Sequence, residues 1–182
     1  MEGIAFILIG GALFSQSWHV LGLYADGRTS GLFALALALA ALLIIPMDPM
    51  LFLGSAGSAQ EVLASHTILE ALVIAWAVYG VGVGAQSLWD FDERAIGFTG
   101  VIVTAVSVVA FFYYAVILDD DTVMLAMSAG TLILSAIGSL VFFYLAIPFM
   151  VLRLVTGWVM LAGSIGLMAI GLAVITTVVE LG

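Results

Sequence analysis

One apolar segment carries both aromatic surface and a hydrogen-bonding amide, in the residues Trp76, Tyr79, Val83 and Gln86. Their spacings of three and four residues place all of them on one face of a helix. Aromatic rings stack on a small planar solute, and an amide donates and accepts hydrogen bonds at its edge. Two interpretations stay open: this face contacts such a solute, or its aromatic rings and amide merely pack against and bond neighbouring helices.

Other polar side chains also lie in apolar segments, where exposure to lipid is unfavourable and such groups usually face the protein interior. Gln16 and His19 lie in the first segment, and we expect His19 at the membrane interface or bonded to a neighbouring helix. Glu70 follows His66 by one helical turn. Either the two form a pH-dependent vestibule, or Glu70 extends to the interface. A stripe of hydroxyls at intervals of four residues is formed by Thr131, Ser135 and Ser139.

The sequence offers no constellation for enzyme chemistry, since it lacks a zinc ligand set, a serine with a nearby base and paired aspartates within an apolar segment. It has no cysteine, which excludes disulfides and thiolate metal sites. We expect the carboxylates of Asp119, Asp120 and Asp121 to be solvated rather than to bind a divalent cation. The expectation is a protein that is not an enzyme and holds no metal or cofactor.

The run Gly80-Val81-Gly82-Val83-Gly84 has the glycine spacing of a potassium filter or a nucleotide-binding loop. It lies in mid-segment, with neither a re-entrant loop nor a strand before it, so neither interpretation fits. Gly80 and Gly84 form a GxxxG pair, which predicts the close approach of a second helix. Gly10 and Gly11 predict the same for the first segment.

The elements that must position these groups are six apolar segments that fill nearly the whole chain. A helix rises about 1.5 Å per residue, so roughly 20 apolar residues cross a hydrocarbon core of about 30 Å. With 65% hydrophobic and 8% charged residues, no soluble domain of this size could hide its apolar surface from water. The predicted fold is an all-α, six-helix membrane bundle forming one domain over residues 1–182, with spans at 3–23, 31–45, 67–88, 95–118, 123–147 and 154–179.

Arg28, Arg94 and Arg153 are the only Lys or Arg residues, and they fall in alternate gaps between the predicted spans. Because cytoplasmic loops favour Lys and Arg, we expect these gaps to face the cytoplasm and both termini to be extracytoplasmic. The remaining gaps, over residues 46–66 and 119–122, contain acids and no Lys or Arg. A net charge of -9 argues against nucleic acid or anionic lipid headgroups as partners.

Several stretches share their order and residue types with one group of membrane proteins. Trp76-Ala77-Val78-Tyr79 is followed by Gln86 and then by Asp92-Glu93-Arg94. The other matching stretches are Gly10 with Ser15-Gln16-Ser17, Asp26-Gly27-Arg28-Thr29-Ser30, Gly138-Ser139-Leu140 and Thr156-Gly157-Trp158. In these features, and in length and topology, the chain resembles the AmiS/UreI family of urea and short-chain amide channels.

This resemblance implies a passive channel for urea or short-chain amides in the plasma (inner) membrane of a prokaryote. It implies six helices per protomer, each protomer enclosing its own pore, and a homo-oligomeric ring, commonly a hexamer. The solute path that it implies is lined by Leu13, Gln16, Trp76, Tyr79, Gln86 and Leu140. To this path we add Val83, from the helical face described above, and Ser139, from the hydroxyl stripe, with His66 and Glu70 as its outer vestibule if the two are coupled.

The chain also departs from the family's pattern. Leu134, Ile137 and Val141 stand where family members place tryptophans, and Gly163 replaces a glutamate that is common in the sixth helix. The gap over residues 46–66 lacks the histidine-rich composition that acid gating needs, so we expect a channel that is open near neutral pH. Urea, acetamide-like amides and other small neutral solutes all stay open as permeants.

Two functions of other classes stay open as well. The chain can be a membrane subunit that supports a partner enzyme and transports nothing. It can also be a proton-coupled carrier that uses Glu70, although coupling usually leaves several buried ionisable groups or interrupted helices.

Overall fold

The structure, a computed structural model, describes residues 2–23, 26–44, 59–117, 122–146 and 149–181. These ranges contain no strand, and a π-helical turn, Tyr113–Ile117, extends the fourth helix. The predicted all-α fold is confirmed. Its helices are α1 Glu2–Leu21, α2 Gly27–Ile44, α3 Ala59–Trp89, α4 Glu93–Phe112, α5 Thr122–Ala146 and α6 Met150–Leu181.

Five of these helices, α1 and α3 to α6, are long and apolar enough to cross a membrane, whereas the apolar part of α2, Gly27–Leu43, is shorter. Large apolar side chains such as Phe98, Leu125 and Trp158 are exposed on the outside of the bundle. Such a surface is stable in lipid but not in water. The protein is therefore a multi-pass membrane protein, and its surroundings are a lipid bilayer.

The structure moves three of the predicted helix starts by four residues or more, and one of them is that of α6, which begins at Met150 rather than at residue 154. α3 begins at Ala59 rather than at residue 67, so Glu61 and His66 belong to the helix and not to the preceding link. Residues 59–66 contain neither proline nor glycine, and 31 residues give a helix of about 46 Å, which extends beyond the hydrocarbon core. α2 begins at Gly27 rather than at residue 31, within the predicted gap between the first two spans, because the Asp26 carbonyl accepts hydrogen bonds from both the backbone and the hydroxyl of Ser30.

Some predicted features lie outside the described residues. These are the small-residue link that precedes α3 and the acidic link between α4 and α5, which contains Asp119, Asp120 and Asp121.

The six helices form a closed ring in which each helix packs against its neighbours in sequence and α6 packs against α1. Glycines bring the backbones of three antiparallel pairs together: α1 with α6, α2 with α3, and α4 with α5. A Cβ atom added at Gly171 of α6 would lie 2.5 Å from the Gly3 carbonyl oxygen of α1. At Gly84 of α3 it would lie 2.8 Å from the Gly31 carbonyl oxygen, and at Gly100 of α4 it would lie 3.1 Å from the Phe142 nitrogen.

The alternating helix directions place Arg28, Arg94 and Arg153 at the same end of the bundle, which we call the arginine end. There the Arg153 Nε atom donates a 3.0 Å hydrogen bond to the Val20 carbonyl, one of the last carbonyls of α1. Asp92 caps α4 by accepting a 3.0 Å hydrogen bond from the Arg94 backbone nitrogen. Which side of the membrane this end faces stays a prediction.

Gly84→Ala tests the close approach of α2 and α3. The added Cβ atom would lie 2.7 Å from the Leu35 Cβ atom, so the helices must separate, which costs about 1–3 kcal/mol. We expect a lower midpoint of thermal unfolding. Tryptophan fluorescence of the solubilised protein measures it. Gly82→Ala is the matched control, since its Cβ atom would lie 4.0 Å from Ile96 and stability should be equal or higher. Equal midpoints for the two variants would contradict the packing described.

Candidate functional site

A hydrogen-bonded pair of polar side chains joins α1 and α3 within the bundle. The Gln16 Nε2 atom lies 2.8 Å from the Tyr79 hydroxyl oxygen, to which it donates, and the hydroxyl lies 3.2 Å from the Gln16 Oε1 atom, which accepts from it. Both side chains are buried. We call this pair the Gln16–Tyr79 bridge. It satisfies an amide and a phenol that would otherwise be costly to hold away from water.

The neighbouring aromatic ring is fixed by a second buried hydrogen bond. The Trp76 indole nitrogen donates to the Ser107 hydroxyl of α4 at 3.0 Å, and that hydroxyl donates to the Val103 carbonyl at 2.6 Å. The Trp76 ring meets the Tyr79 ring edge to face, with centroids 5.6 Å apart and planes at 80°. Side chains of α1, α3 and α4 therefore form one connected network around the bridge.

Two small cavities lie along the bundle on either side of this bridge. An apolar cavity of about 20 Å³, between α1, α2 and α3, lies away from the arginine end. A polar cavity of about 30 Å³, between α1, α3, α4 and α5, lies toward it. Gln16 lines both, and together they follow α1 from Leu8 to Val20, about 18 Å of helix. Each has room for about one water molecule.

The two cavities differ in the side chains that line them. The apolar cavity is lined by Leu8, Ile9, Ala12, Leu13, Gln16, Ala34, Leu37, Ala38, Ala41, Trp76, Ala77, Tyr79 and Gly80. The polar cavity is lined by Gln16, His19, Val20, Val83, Gln86, Ser87, Ile96, Tyr144 and Leu145. Neither lining contains Asp, Glu, Lys or Arg among the residues that the structure describes.

Most of the residues that the sequence singled out as a solute path meet at these cavities. Leu13, Trp76 and Tyr79 line the apolar cavity, Val83 and Gln86 line the polar cavity, and Gln16 lines both. The helical face predicted from the spacing of three and four residues thus faces the bundle interior along its length.

The other predicted path residues, Ser139 and Leu140, line neither cavity. The Ser139 hydroxyl donates to the Ser135 carbonyl within its own helix at 2.8 Å, and the Leu140 carbonyl accepts from Thr156 of α6. α5 packs against α4 and α6, and it reaches the polar cavity only through Tyr144 and Leu145.

Glu70 lies in the half of α3 that points away from the arginine end, and its side chain is half-buried. His66 lies one turn earlier in the same helix, and its side chain is outside the described part of the structure. The predicted vestibule therefore stays a prediction. No group of three or more His, Asp or Glu side chains in the described ranges could hold a metal ion.

Ser87, Ser107 and Tyr144 also belong to this region, although none of them was predicted from the sequence. Ser107 was no candidate, although it is a single serine amid apolar residues, and polar residues in such surroundings usually have an interior partner. Tyr144 ends an aromatic run that gave no reason to choose one ring over its neighbours. His19 lines the polar cavity, and its expected position at the interface or bonded to a neighbouring helix stays a prediction.

Comparisons with protein-family models, with curated proteins and with solved structures give no match. The resemblance to amide and urea channels thus rests on the sequence stretches that suggested it.

A double-mutant cycle tests the Gln16–Tyr79 bridge. Gln16→Leu and Tyr79→Phe each leave a buried partner unpaired, so each should lower the free energy of unfolding by about 1–3 kcal/mol. The double variant should lose less than the sum, with a coupling of about 0.6–1.7 kcal/mol, as found between membrane helices. The free energy of unfolding is measured for the wild type, the two single variants and the double variant, by titrating each protein in mixed micelles with a denaturing detergent.

The control cycle pairs Gln16→Leu with Thr176→Val. The Thr176 hydroxyl is exposed and bonds only the Ala173 carbonyl of its own helix among the described hydrogen bonds. Its effect should add to that of Gln16→Leu within about 0.5 kcal/mol. Additivity in the Gln16 and Tyr79 cycle as well would show that the bridge does not form.

Proposed function

We propose that this protein is a passive channel for small, neutral, planar solutes, namely urea or short-chain aliphatic amides. The observation that carries the proposal is the pair of cavities in line along the bundle, with Gln16 shared between them. A row of internal spaces that contains amide, phenol and indole groups is a path for a molecule with the same hydrogen-bonding groups. The finer features implied by the resemblance, a hexameric ring in a prokaryotic plasma membrane with both termini outside, belong to this proposal.

The Gln16–Tyr79 bridge closes the path at its centre. Both cavities are smaller than urea or acetamide, so a solute passes only when the bridge opens. A carboxamide can replace the lost bond because its carbonyl accepts from the Gln16 amide or the Tyr79 hydroxyl, and its NH₂ donates to the Gln16 oxygen. The two hydrogen bonds of the bridge are then exchanged for hydrogen bonds to the solute, and no polar group is left unpaired during passage.

The same path disfavours ions. An ion that enters a narrow apolar space loses its hydration, and only fixed charges or a dense set of dipoles could compensate that loss. The described lining of the two cavities contains no carboxylate, ammonium or guanidinium group. A planar neutral solute loses far less hydration and can lie against the Trp76 and Tyr79 rings.

Solute flux into proteoliposomes tests the proposal, with stopped-flow light scattering in gradients of urea, acetamide and glycerol. Gln86→Leu removes one hydrogen-bonding group from the path, about 1 kcal/mol, so amide flux should fall about fivefold. Trp76→Phe removes the bond to Ser107 and part of the ring, so glycerol permeability should rise relative to urea. Urea and amide flux no faster than in empty liposomes, at both of two pH values, would overturn the proposal.

Matched controls separate a path from general damage to the fold. Trp158 is 56% exposed on the outside of α6, whereas Trp76 is 3% exposed. Trp158→Phe makes the same chemical change as Trp76→Phe on the lipid-facing surface and should leave every permeability unchanged. If Gln86→Leu and Trp76→Phe also leave permeability unchanged, the two cavities are not the path.

Glu70→Gln distinguishes the channel from a proton-coupled carrier. Glu70 lies outside the lining of both cavities, so a passive path predicts linear flux that is unchanged by this substitution and by a proton gradient. Saturable uptake that follows the proton gradient and is lost in Glu70→Gln would establish the carrier instead. The measurement is radiolabelled acetamide uptake with and without an imposed pH difference.

A further inference from the structure

The polar cavity gathers hydrogen-bonding side chains from three helices. Gln16 and His19 come from α1, Gln86 and Ser87 from α3, and Tyr144 from α5. Their separation in the sequence means that the fold assembles this group and no local segment could. Polar groups so placed in a membrane bundle usually mark a functional pathway, because they are costly to bury without one.

The chemistry of this group favours one kind of ligand. The two amides and a neutral imidazole each offer both a donor and an acceptor, and the two hydroxyls can serve as either. A carboxamide or urea needs a donor for its carbonyl oxygen and acceptors for its N–H groups. A charged ligand would find no opposite charge in the described lining, whereas the apolar remainder, Val20, Val83, Ile96 and Leu145, suits a short alkyl group.

His19 holds its place in the cavity against the start of α2. A Cβ atom added at Gly27 would lie 2.8 Å from the His19 Cε1 atom and 3.3 Å from its Nδ1 atom. Only a glycine at position 27 leaves room for the imidazole ring where it lies. The ring is therefore positioned by packing, and a substitution at Gly27 can displace it without removing it.

We propose that the polar cavity is a binding site for one carboxamide or urea group, and that His19 is the residue that selects these groups over polyols. The inference rests on the proposed function, since it names the place where the permeant of that channel is recognised.

Occupation of this site would also act on the bridge. Gln16 lines the polar cavity and bonds Tyr79, so an amide that bonds Gln16 competes with the Tyr79 hydroxyl. The cavity of about 30 Å³ must widen to admit the ligand, and Gln16 is the lining residue that connects it to the next space. Ligand binding and opening of the path would then be one event.

Nuclear magnetic resonance of the imidazole groups tests the site without measuring flux. The chain has only two histidines, so ¹⁵N-histidine labelling gives two sets of signals, and His19→Gln assigns them. In lipid nanodiscs near pH 8, acetamide and urea should shift the His19 signals, and glycerol at equal concentration should not. The His66 signals should shift less than those of His19, since His66 lies 17 residues before Val83 in α3, about 25 Å along the helix axis.

Two variants complete the test. His19→Leu should lower the ratio of acetamide to glycerol permeability about fivefold, the effect of one lost hydrogen bond, while His19→Gln should keep it. Gly27→Ala should move the His19 signals in the absence of ligand and weaken their response to acetamide. Gly82→Ala, whose added Cβ atom would lie 4.0 Å from Ile96 in ordinary van der Waals contact, should do neither.

The outcomes separate this site from the channel function. Amide flux in the wild type, with no His19 shift and an unchanged ratio in His19→Leu, would overturn the site and leave the channel standing. A selective His19 shift without flux would support the site and overturn the channel. Equal shifts with acetamide and glycerol would also overturn the site, because they would show a solvent effect rather than recognition.

Discussion

Close contact between helix backbones at glycine is the constraint on which this bundle depends. Between apolar helices in lipid there is little hydrophobic driving force, so association relies on packing and on hydrogen bonds between helices. Gly84 against α2, Gly100 against α5 and Gly171 against α1 leave no room for a side chain. These three tight pairs fix the distances and rotations of the helices. Gln16 of α1 and Tyr79 of α3 belong to different pairs, and the packing of α1 against α2 and α3 brings the two side chains together.

The same packing places polar side chains at the centre of the bundle, where they must form hydrogen bonds with one another. Water cannot reach the hydrocarbon region freely, so each buried donor and acceptor needs a partner within the protein. The Gln16–Tyr79 bridge and the bond from Trp76 to Ser107 meet that need, and each cavity beside them has room for about one water. This arrangement, with the bridge closed, has a low free energy because these side chains have their hydrogen-bond partners. In the proposed channel, a permeant that offers matching hydrogen bonds would open it.

The sequence predicted the helices well and the site in part. Hydropathy identifies spans because a bilayer demands long apolar helices, and the spacing of Trp76, Tyr79 and Gln86 revealed an interior face. Hydropathy could not predict that α3 begins at Ala59, since helical residues beyond the hydrocarbon core need not be apolar. Ser107 and Ser139 show what the sequence cannot predict. Both are serines in apolar segments, yet the arrangement of the six helices places only Ser107 against Trp76, whereas Ser139 bonds within its own helix. Packing determines which helix faces which. The spacing of polar and apolar residues along the sequence does not predict it.

The pairing of α1 with α6 has a consequence for how the protein is made. The ribosome releases α1 four helices before α6 begins, yet Gly3 and Gly10 of α1 contact α6. During synthesis that face of α1 must be covered by lipid or by the insertion machinery, while α2 with α3 and α4 with α5 can pair as hairpins. Ring closure is therefore the last step of assembly, although the central network of α1, α3 and α4 side chains contains no residue of α6. A nascent chain halted before α6 would hold two finished hairpins and no closed path.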